Sequence, residues 1–212
     1  MSDRSLAARR AMVERQIRAR GISEEAILNA FLQVPREEFV PPGTNLSAAY
    51  GDHPMPIGGG QTISQPFIVA LMIDLLNVSA RDRVLEIGAG SGYQAALLSA
   101  MGVRVVAVEL LESLALRAGR ALDRVGLRDN VHLVVADGYS GWSPGAPYRG
   151  IVVSAAPAEV PRGLPQQLDY GGRLVLPVGR VFQELVVIRR TETGFLRTPV
   201  EAVRFVPLVR RD

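Results

Sequence analysis

Residues 84 to 92 read Val84-Leu85-Glu86-Ile87-Gly88-Ala89-Gly90-Ser91-Gly92. An apolar, β-prone run that ends in three alternating glycines is a strand delivering the chain into a tight turn and then a helix. Glycine lets the backbone of such a turn take unusual dihedrals and approach a ligand closely. The chain beyond keeps to the same alternation. Strands are expected at 83–87, 103–108, 131–135, 150–153 and 173–176, the last following the turn Tyr170-Gly171-Gly172, with helices at 94–101 and 110–125 between the first three. Further strands at 185–190 and 203–206 form an antiparallel ending. Strands alternating with helices imply an α/β class with a doubly wound, mostly parallel sheet.

Ahead of this core, Leu6, Val13 and Ile17 share one helical face, and Gly21 ends that helix. Ser23 can cap a second helix, whose stripe is Ile27, Ala30, Phe31 and Val34 and whose end is Pro35. Residues 40–66 are rich in Pro, Gly, Ser and Thr, and read as an ordered loop of a length that compact domains keep for function. A helix bearing Val69, Met72, Ile73 and Leu76 follows. The expectation is one domain over 1–212: helices and a substrate/cofactor loop at 1–66, an α/β core at 67–180 and terminal strands at 181–212.

Composition removes several functions. Hydrophobic residues are 48% of the 212, enough for a sizeable core. No apolar run is long enough to span a bilayer. The start, MSDRSLAARR, has no apolar stretch or small-residue cleavage site behind it, so no secretory signal is expected and the location read is cytoplasmic. With no cysteine there is no disulfide, thiol chemistry or Cys-based zinc, and His53 and His132 are too far apart to pattern a metal site, so no metal is assigned. All 24 basic side chains are arginine, the net charge is +3 and no dense basic run occurs, so nucleic-acid binding is not indicated.

The glycine turn does not fit a dinucleotide. The G-x-G-x-x-G fingerprint started at Gly88 would need glycine where Tyr93 stands. The spacing here is G-x-G-x-G, with Glu86 two residues before it. An acid near this turn suits a ligand with a positive ammonium group, as S-adenosylmethionine has. Glu109, roughly 20 residues on at the end of the second strand, stands where an acid hydrogen-bonds ribose hydroxyls. Asp137-Gly138 closes the third strand, where a carboxylate can accept from an adenine amino group. Each acid alone is more often a solvated strand end than a ligand; the three on one sheet edge together read as a cofactor site.

Gly60-Gln61-Thr62-Ile63-Ser64-Gln65-Pro66 resembles the signature of the protein-L-isoaspartate (D-aspartate) O-methyltransferase family. The rest of the chain is similar to that family as well: Val34-Pro35-Arg36-Glu37-Glu38-Phe39-Val40-Pro41 near the start, Glu86 to Tyr93 with Gln94-Ala95-Ala96, Ala136-Asp137-Gly138, Gly171-Gly172-Arg173-Leu174 with Pro177-Val178-Gly179, and Phe205-Val206-Pro207-Leu208 at the end. The resemblance implies a Rossmann-like S-adenosylmethionine-dependent methyltransferase that esterifies the free α-carboxylate of L-isoaspartyl residues in damaged proteins. The ester closes to a succinimide, whose hydrolysis returns some normal aspartate.

A carboxylate nucleophile is already ionised at neutral pH and needs no strong base. Alignment of the reactants, which can supply roughly 7–11 kcal/mol, is then the main task. From the residues alone, Ser64 and Thr62 read as caps of a helix beginning near Pro66. The resemblance instead makes Ser64 the residue that orients the reacting carboxylate, in a non-covalent role. It also implies cofactor contacts from Gln61, Thr62, Ile63, Glu86, Gly88, Ala89, Gly90, Gly92, Glu109, Leu110, Asp137 and Gly138, and acceptor contacts from Ile57, Gly58, Ser64, Ser154 and Ala155. Isoaspartyl peptides and proteins are the expected partners and the chain is expected to be a monomer. Trp142 reads either as an adenine shield or as a packing residue. Two rival acceptors remain: a chosen aspartate of a biosynthetic peptide, and an RNA or small molecule.

Overall fold

The computed structural model describes residues 3–210; Met1, Ser2, Arg211 and Asp212, included in the expected domain span, lie outside the described residues. A seven-stranded sheet forms its centre, ordered β5-β4-β3-β6-β7-β8-β9. The strands are β3 (Arg83–Ile87), β4 (Arg104–Glu109), β5 (Val131–Val135), β6 (Tyr148–Val153), β7 (Leu168–Val178), β8 (Gln183–Thr191) and β9 (Gly194–Val203). The pairings from β5 across to β7 are parallel, while β7–β8 and β8–β9 are antiparallel. Strand order reverses between β3 and β6, which is where doubly wound sheets open a crevice at their carboxyl ends.

Both faces of the central parallel strands β3, β4 and β6 are buried, as parallel sheets require. Successive strand residues divide between two cores. Val84, Val105, Ala107, Val152 and Val175 enter the larger one, while Leu85, Ile87, Val108, Ile151, Val153 and Leu174 enter the other. Helix α5 (Tyr93–Ala100) is buried from Tyr93 to Ser99, wedged between the sheet and the amino-terminal helices. Helix α6 (Glu112–Arg124) buries only the stripe Leu114, Ala115, Ala118, Ala121 and Leu122. Helix α4 (Pro66–Leu76) begins on Pro66, whose missing N–H costs nothing at a first helical position.

Several boundaries differ from the sequence reading. Helix α1 (Asp3–Met12) tightens and widens through π and 3-10 turns over 13–20 before Gly21, at φ 97°, ends it. Glu24 rather than Ser23 caps α2 (Glu25–Gln33), its carboxylate accepting from the Ala26 amide. The segment 40–66 holds the short helix α3 (Leu46–Ala49) and an antiparallel hairpin, β1 (Met55–Gly58) with β2 (Gln61–Ile63). Strand β7 runs through the expected turn at Tyr170-Gly171-Gly172, with an irregular register against β6. The last strand is Gly194–Val203, not 203–206. Its pairing jumps from Leu185↔Glu201 to Val186↔Pro199, which leaves Val200 as a bulge on the sheet's outer edge.

Candidate functional site

At the carboxyl ends of β3, β4 and β6 lies a cleft holding about 790 Å³ of space, part of it open to solvent. Each wall comes from a different element. Strand β3 and its glycine turn give Glu86, Ile87, Gly88, Ala89, Gly90 and Ser91; β4 gives Val108, Glu109, Leu110 and Leu111; the end of β6 gives Ser154 and Ala155. Hairpin strand β2 and the residue after it bring Gln61, Thr62, Ile63 and Ser64 over the opening. The turn is built for this approach. Gly88, Gly90 and Gly92 all have positive φ, and a Cβ on Gly92 would stand 3.0 Å from that of Ala118 on α6.

Glu86 is 1% exposed and its Oε1 accepts from Gln94 Nε2 at 3.2 Å. The other oxygen, Oε2, is buried with no hydrogen-bond partner. Burial pushes this carboxyl up to about 8; the Gln94 bond pulls it down and the nearby Glu109 charge adds to the rise. Gln94 Nε2 also reaches Ser154 Oγ at 3.2 Å, joining β3 to β6 through α5. Glu109 accepts from the Gly90 amide at 2.8 Å and from the Leu111 amide at 2.9 Å, one bond per oxygen, so each oxygen retains a further lone pair.

A positively charged, nucleoside-containing ligand fits this donor set. An unpartnered carboxylate oxygen in a buried wall calls for a cation or donor. A second carboxylate with spare acceptor capacity lies on the adjacent strand, and Ile63, Val108, Leu110, Leu111, Val206 and Leu208 supply apolar surface between.

Of the residues singled out from sequence, the cleft lining includes Gln61, Thr62, Ile63, Ser64, Glu86, Gly88, Ala89, Gly90, Glu109, Leu110, Gly138, Ser154 and Ala155. Gly92 sits behind the turn as the cap of α5. Asp137 lies beside the lining, with Oδ1 accepting from the Tyr139 amide at 2.9 Å. Ile57 lines a neighbouring recess with Gly90 and Ser91, and its carbonyl is bound by Arg117; Gly58 follows it in the hairpin. Trp142 packs in the second core, outside the lining, with its amide donating to Gln167 Oε1 at 2.8 Å. The cap of α4 is Gln65, with no side-chain hydrogen bond, so Ser64 and Thr62 do not cap it.

The sequence reading assigns no site role to Gln94, Tyr93, Ser91 or the run Val206, Pro207, Leu208 and Val209, all of which line the cleft. Gln94 had two signals, its place in the matched stretch Gln94-Ala95-Ala96 and its being a lone amide in the otherwise apolar run Tyr93-Gln94-Ala95-Ala96-Leu97-Leu98. The terminal run had one as well, the matched stretch Phe205-Val206-Pro207-Leu208, but the expected strand there hid its approach to the cleft. A broader groove of about 1350 Å³, lined by Arg20, Gln65, Ile68, Arg204 and Phe205 among others, shares Thr62, Ser64 and Val206 with the cleft.

Comparison with known proteins gives the family. A model of the family described as Protein-L-isoaspartate(D-aspartate) O-methyltransferase (PCMT) matches residues 7–212. A protein-L-isoaspartate O-methyltransferase of Geobacter metallireducens is 50% identical over 204 residues, 95% of this chain and 94% of its own. One from Methanoculleus marisnigri is 52% identical over 203 residues, 95% of this chain and 91% of its own. A solved protein-L-isoaspartate O-methyltransferase superposes with TM-score 0.86 at 32% identity, covering 94% of this chain and 65% of that longer one. A Plasmodium falciparum structure described as a β-aspartate methyltransferase in complex with S-adenosyl-L-homocysteine shares the fold, with TM-score 0.80 at 24% identity over 95% of this chain and 98% of that one. On its sequence, fold and cleft, this chain belongs to the protein-L-isoaspartate (D-aspartate) O-methyltransferase family.

Proposed function

We propose that this chain is a protein-L-isoaspartate O-methyltransferase, which esterifies the free α-carboxylate of L-isoaspartyl residues in damaged proteins and so starts their repair through a succinimide. The observation that carries the reading is that Ser64 lines the same cleft as the buried acids Glu86 and Glu109. Bound S-adenosylmethionine supplies an electrophilic methyl carbon: a carboxylate oxygen bonds to it as the carbon–sulfur bond breaks and its electron pair passes to sulfur.

The chain's own residues hold and align the two partners. Glu86 Oε2 receives the ammonium of the donor, with Gln94 fixing the carboxylate's orientation through Oε1. Glu109 takes the ribose hydroxyls while its existing bonds keep the glycine turn in place. Gly88, Ala89, Gly90 and Leu110 form the wall around them, Gln61, Thr62 and Ile63 close over the top, and Asp137-Gly138 meets the adenine. Gly92 serves by shaping the turn. The Ser64 hydroxyl donates to the reacting carboxylate without protonating it, so the nucleophile keeps its charge. Ser154 and Ala155 face the acceptor within the cleft, and the hairpin residues Ile57 and Gly58 border its path. The wide groove beyond Ser64 leaves room for the flanking polypeptide. On this reading residues 1–212 work as one cytoplasmic, monomeric methyltransferase domain acting on polypeptides, with no metal or nucleic acid; light scattering in solution tests the monomer.

The decisive assay offers labelled S-adenosylmethionine and two peptides that differ only in one linkage, aspartyl or isoaspartyl. Labelling of the isoaspartyl peptide alone is expected. Labelling of neither, with the donor still bound, would move the acceptor to a dedicated peptide or another molecule.

A further inference from the structure

Two arginines are fully buried, Arg9 and Arg36, and their charges are handled differently. Arg9 has an acid partner, Glu37, at 3.6 Å, and also donates to the Leu32 and Gln33 carbonyls and the Tyr50 hydroxyl. Arg36 has no carboxylate within ion-pair distance among the described residues. Its Nε donates to the Ala49 carbonyl at 2.9 Å and its Nη2 to the Ser64 carbonyl at 2.8 Å. The guanidinium carbon stands 4.9 Å from the ring centroid of Tyr93, a residue of the cleft wall. Nη1 and the Tyr93 hydroxyl make no hydrogen bond of ordinary geometry, yet Tyr93 acts on the guanidinium through charge and a looser polar contact, and both favour its protonated form.

A buried cation without an anion is costly, and burial does push Arg36 below its ordinary range, against weaker opposing pulls from Tyr93, Tyr50 and Asp52. Structural needs alone do not explain the cost. Anchoring two carbonyls needs donors but no net charge, and a neutral amide could serve one of them. What distinguishes this position is what the charge faces. One bond leads to the peptide unit of Ser64, and the cation otherwise rests on the ring of Tyr93 at the back of the same cleft.

We propose that Arg36 is a positioning residue for the acceptor. It fixes the backbone from which the Ser64 hydroxyl projects, and its unneutralised charge, held in low dielectric behind that residue, favours an anionic group in front of it. A bound carboxylate then brings, on the far side of Ser64, the negative charge that Arg36 lacks. This inference rests on the acceptor being the isoaspartyl carboxylate. It also gives a physical reason for Arg36 where the sequence showed only one residue of a longer matched stretch.

The test compares the parent with Arg36→Lys and Arg36→Gln, each first checked for folding by its thermal melt. Steady-state methylation of an isoaspartyl peptide is measured alongside calorimetric affinity for S-adenosylhomocysteine. Arg36→Gln is expected to raise the KM for the peptide by about tenfold or more, the scale of a lost charge-assisted interaction, with product affinity nearly unchanged. Arg36→Lys keeps the charge and loses the two-carbonyl fork, so it is expected to preserve most of the KM and lower kcat. A folded Arg36→Lys with parent kcat, or a folded Arg36→Gln with parent KM, overturns the proposal. Should Arg36→Gln not fold, kcat of the lysine variant decides. Failure of the parent itself to methylate the peptide is a separate result, and removes the function proposed above instead.

Discussion

The Gly90 amide donates to the Glu109 carboxylate at 2.8 Å, across 19 residues of sequence and from one strand's turn to the next strand's end. One side chain therefore holds the cofactor turn in shape and presents acceptor capacity to the same cleft. Glu109→Ala should affect both. Leaving the Gly90 and Leu111 amides without this acceptor costs about 1–3 kcal/mol each where they stay buried. Affinity for S-adenosylhomocysteine should fall roughly ten- to a hundredfold, the value of a hydrogen bond to a charged group. Calorimetric titration checks the second effect, and unchanged affinity in a folded variant would remove Glu109 from the ribose.

Ser64→Ala should leave stability within about 0.5 kcal/mol, because Ser64 caps no helix and its carbonyl bond to Arg36 survives the change. Methyl transfer should fall roughly ten- to a hundredfold in kcat/KM while product affinity holds. Parent-like turnover would take the hydroxyl out of the acceptor site.

Glu86 predicts a proton linkage. Its folded value of about 8 lies above the ordinary 4.5. Between these values the unfolded chain has released a proton that the folded chain keeps, so the group's contribution to stability falls as pH rises through the window, by up to a few kcal/mol or on that order. Glu86→Gln should flatten this part of the pH–melting curve. A ligand ammonium beside Oε2 favours the ionised form, so binding S-adenosylhomocysteine at pH 7 should release about one proton. Calorimetry in buffers of different ionisation enthalpy reads this directly; the same release from the glutamine variant would contradict the assignment.

Gly138→Ala should cost about 1–3 kcal/mol through overpacking. A Cβ there would sit 2.8 and 2.9 Å from two atoms of Ile87 and 3.3 Å from Val108, where β3 and β4 end beside the cleft. A lowered melting temperature, with weaker product binding, is the expected outcome.

The parallel core was legible because its strands are apolar runs closed by glycines and acids, and burial on both faces leaves little room for other patterns. Glu86 and Glu109 could be placed from strand ends alone. Their division of labour could not, because the Gln94 and Gly90 contacts depend on how α5 and β4 pack. The hairpin of 55–63 was hidden by its Pro and Gly content, which signals a turn but not the pairing beside it. The final strand was misplaced for a related reason. Phe195-Leu196-Arg197-Thr198-Pro199 carries charge and proline and is largely exposed, so it lacks the apolar pattern of a central strand, whereas Phe205-Val206 has that pattern and crosses toward the cleft instead.

The character of that final strand bears on the enzyme's company. An outer strand ordinarily offers a free row of amides and carbonyls on which another extended chain can build. Here Pro199 removes one amide, the bulge at Val200 breaks the spacing of the rest, and Arg197 and Glu201 set charges along the run. An enzyme of a family that acts on damaged proteins meets other extended chains. Its own rim is a poor template for them, which disfavours growth of strand upon strand into fibres.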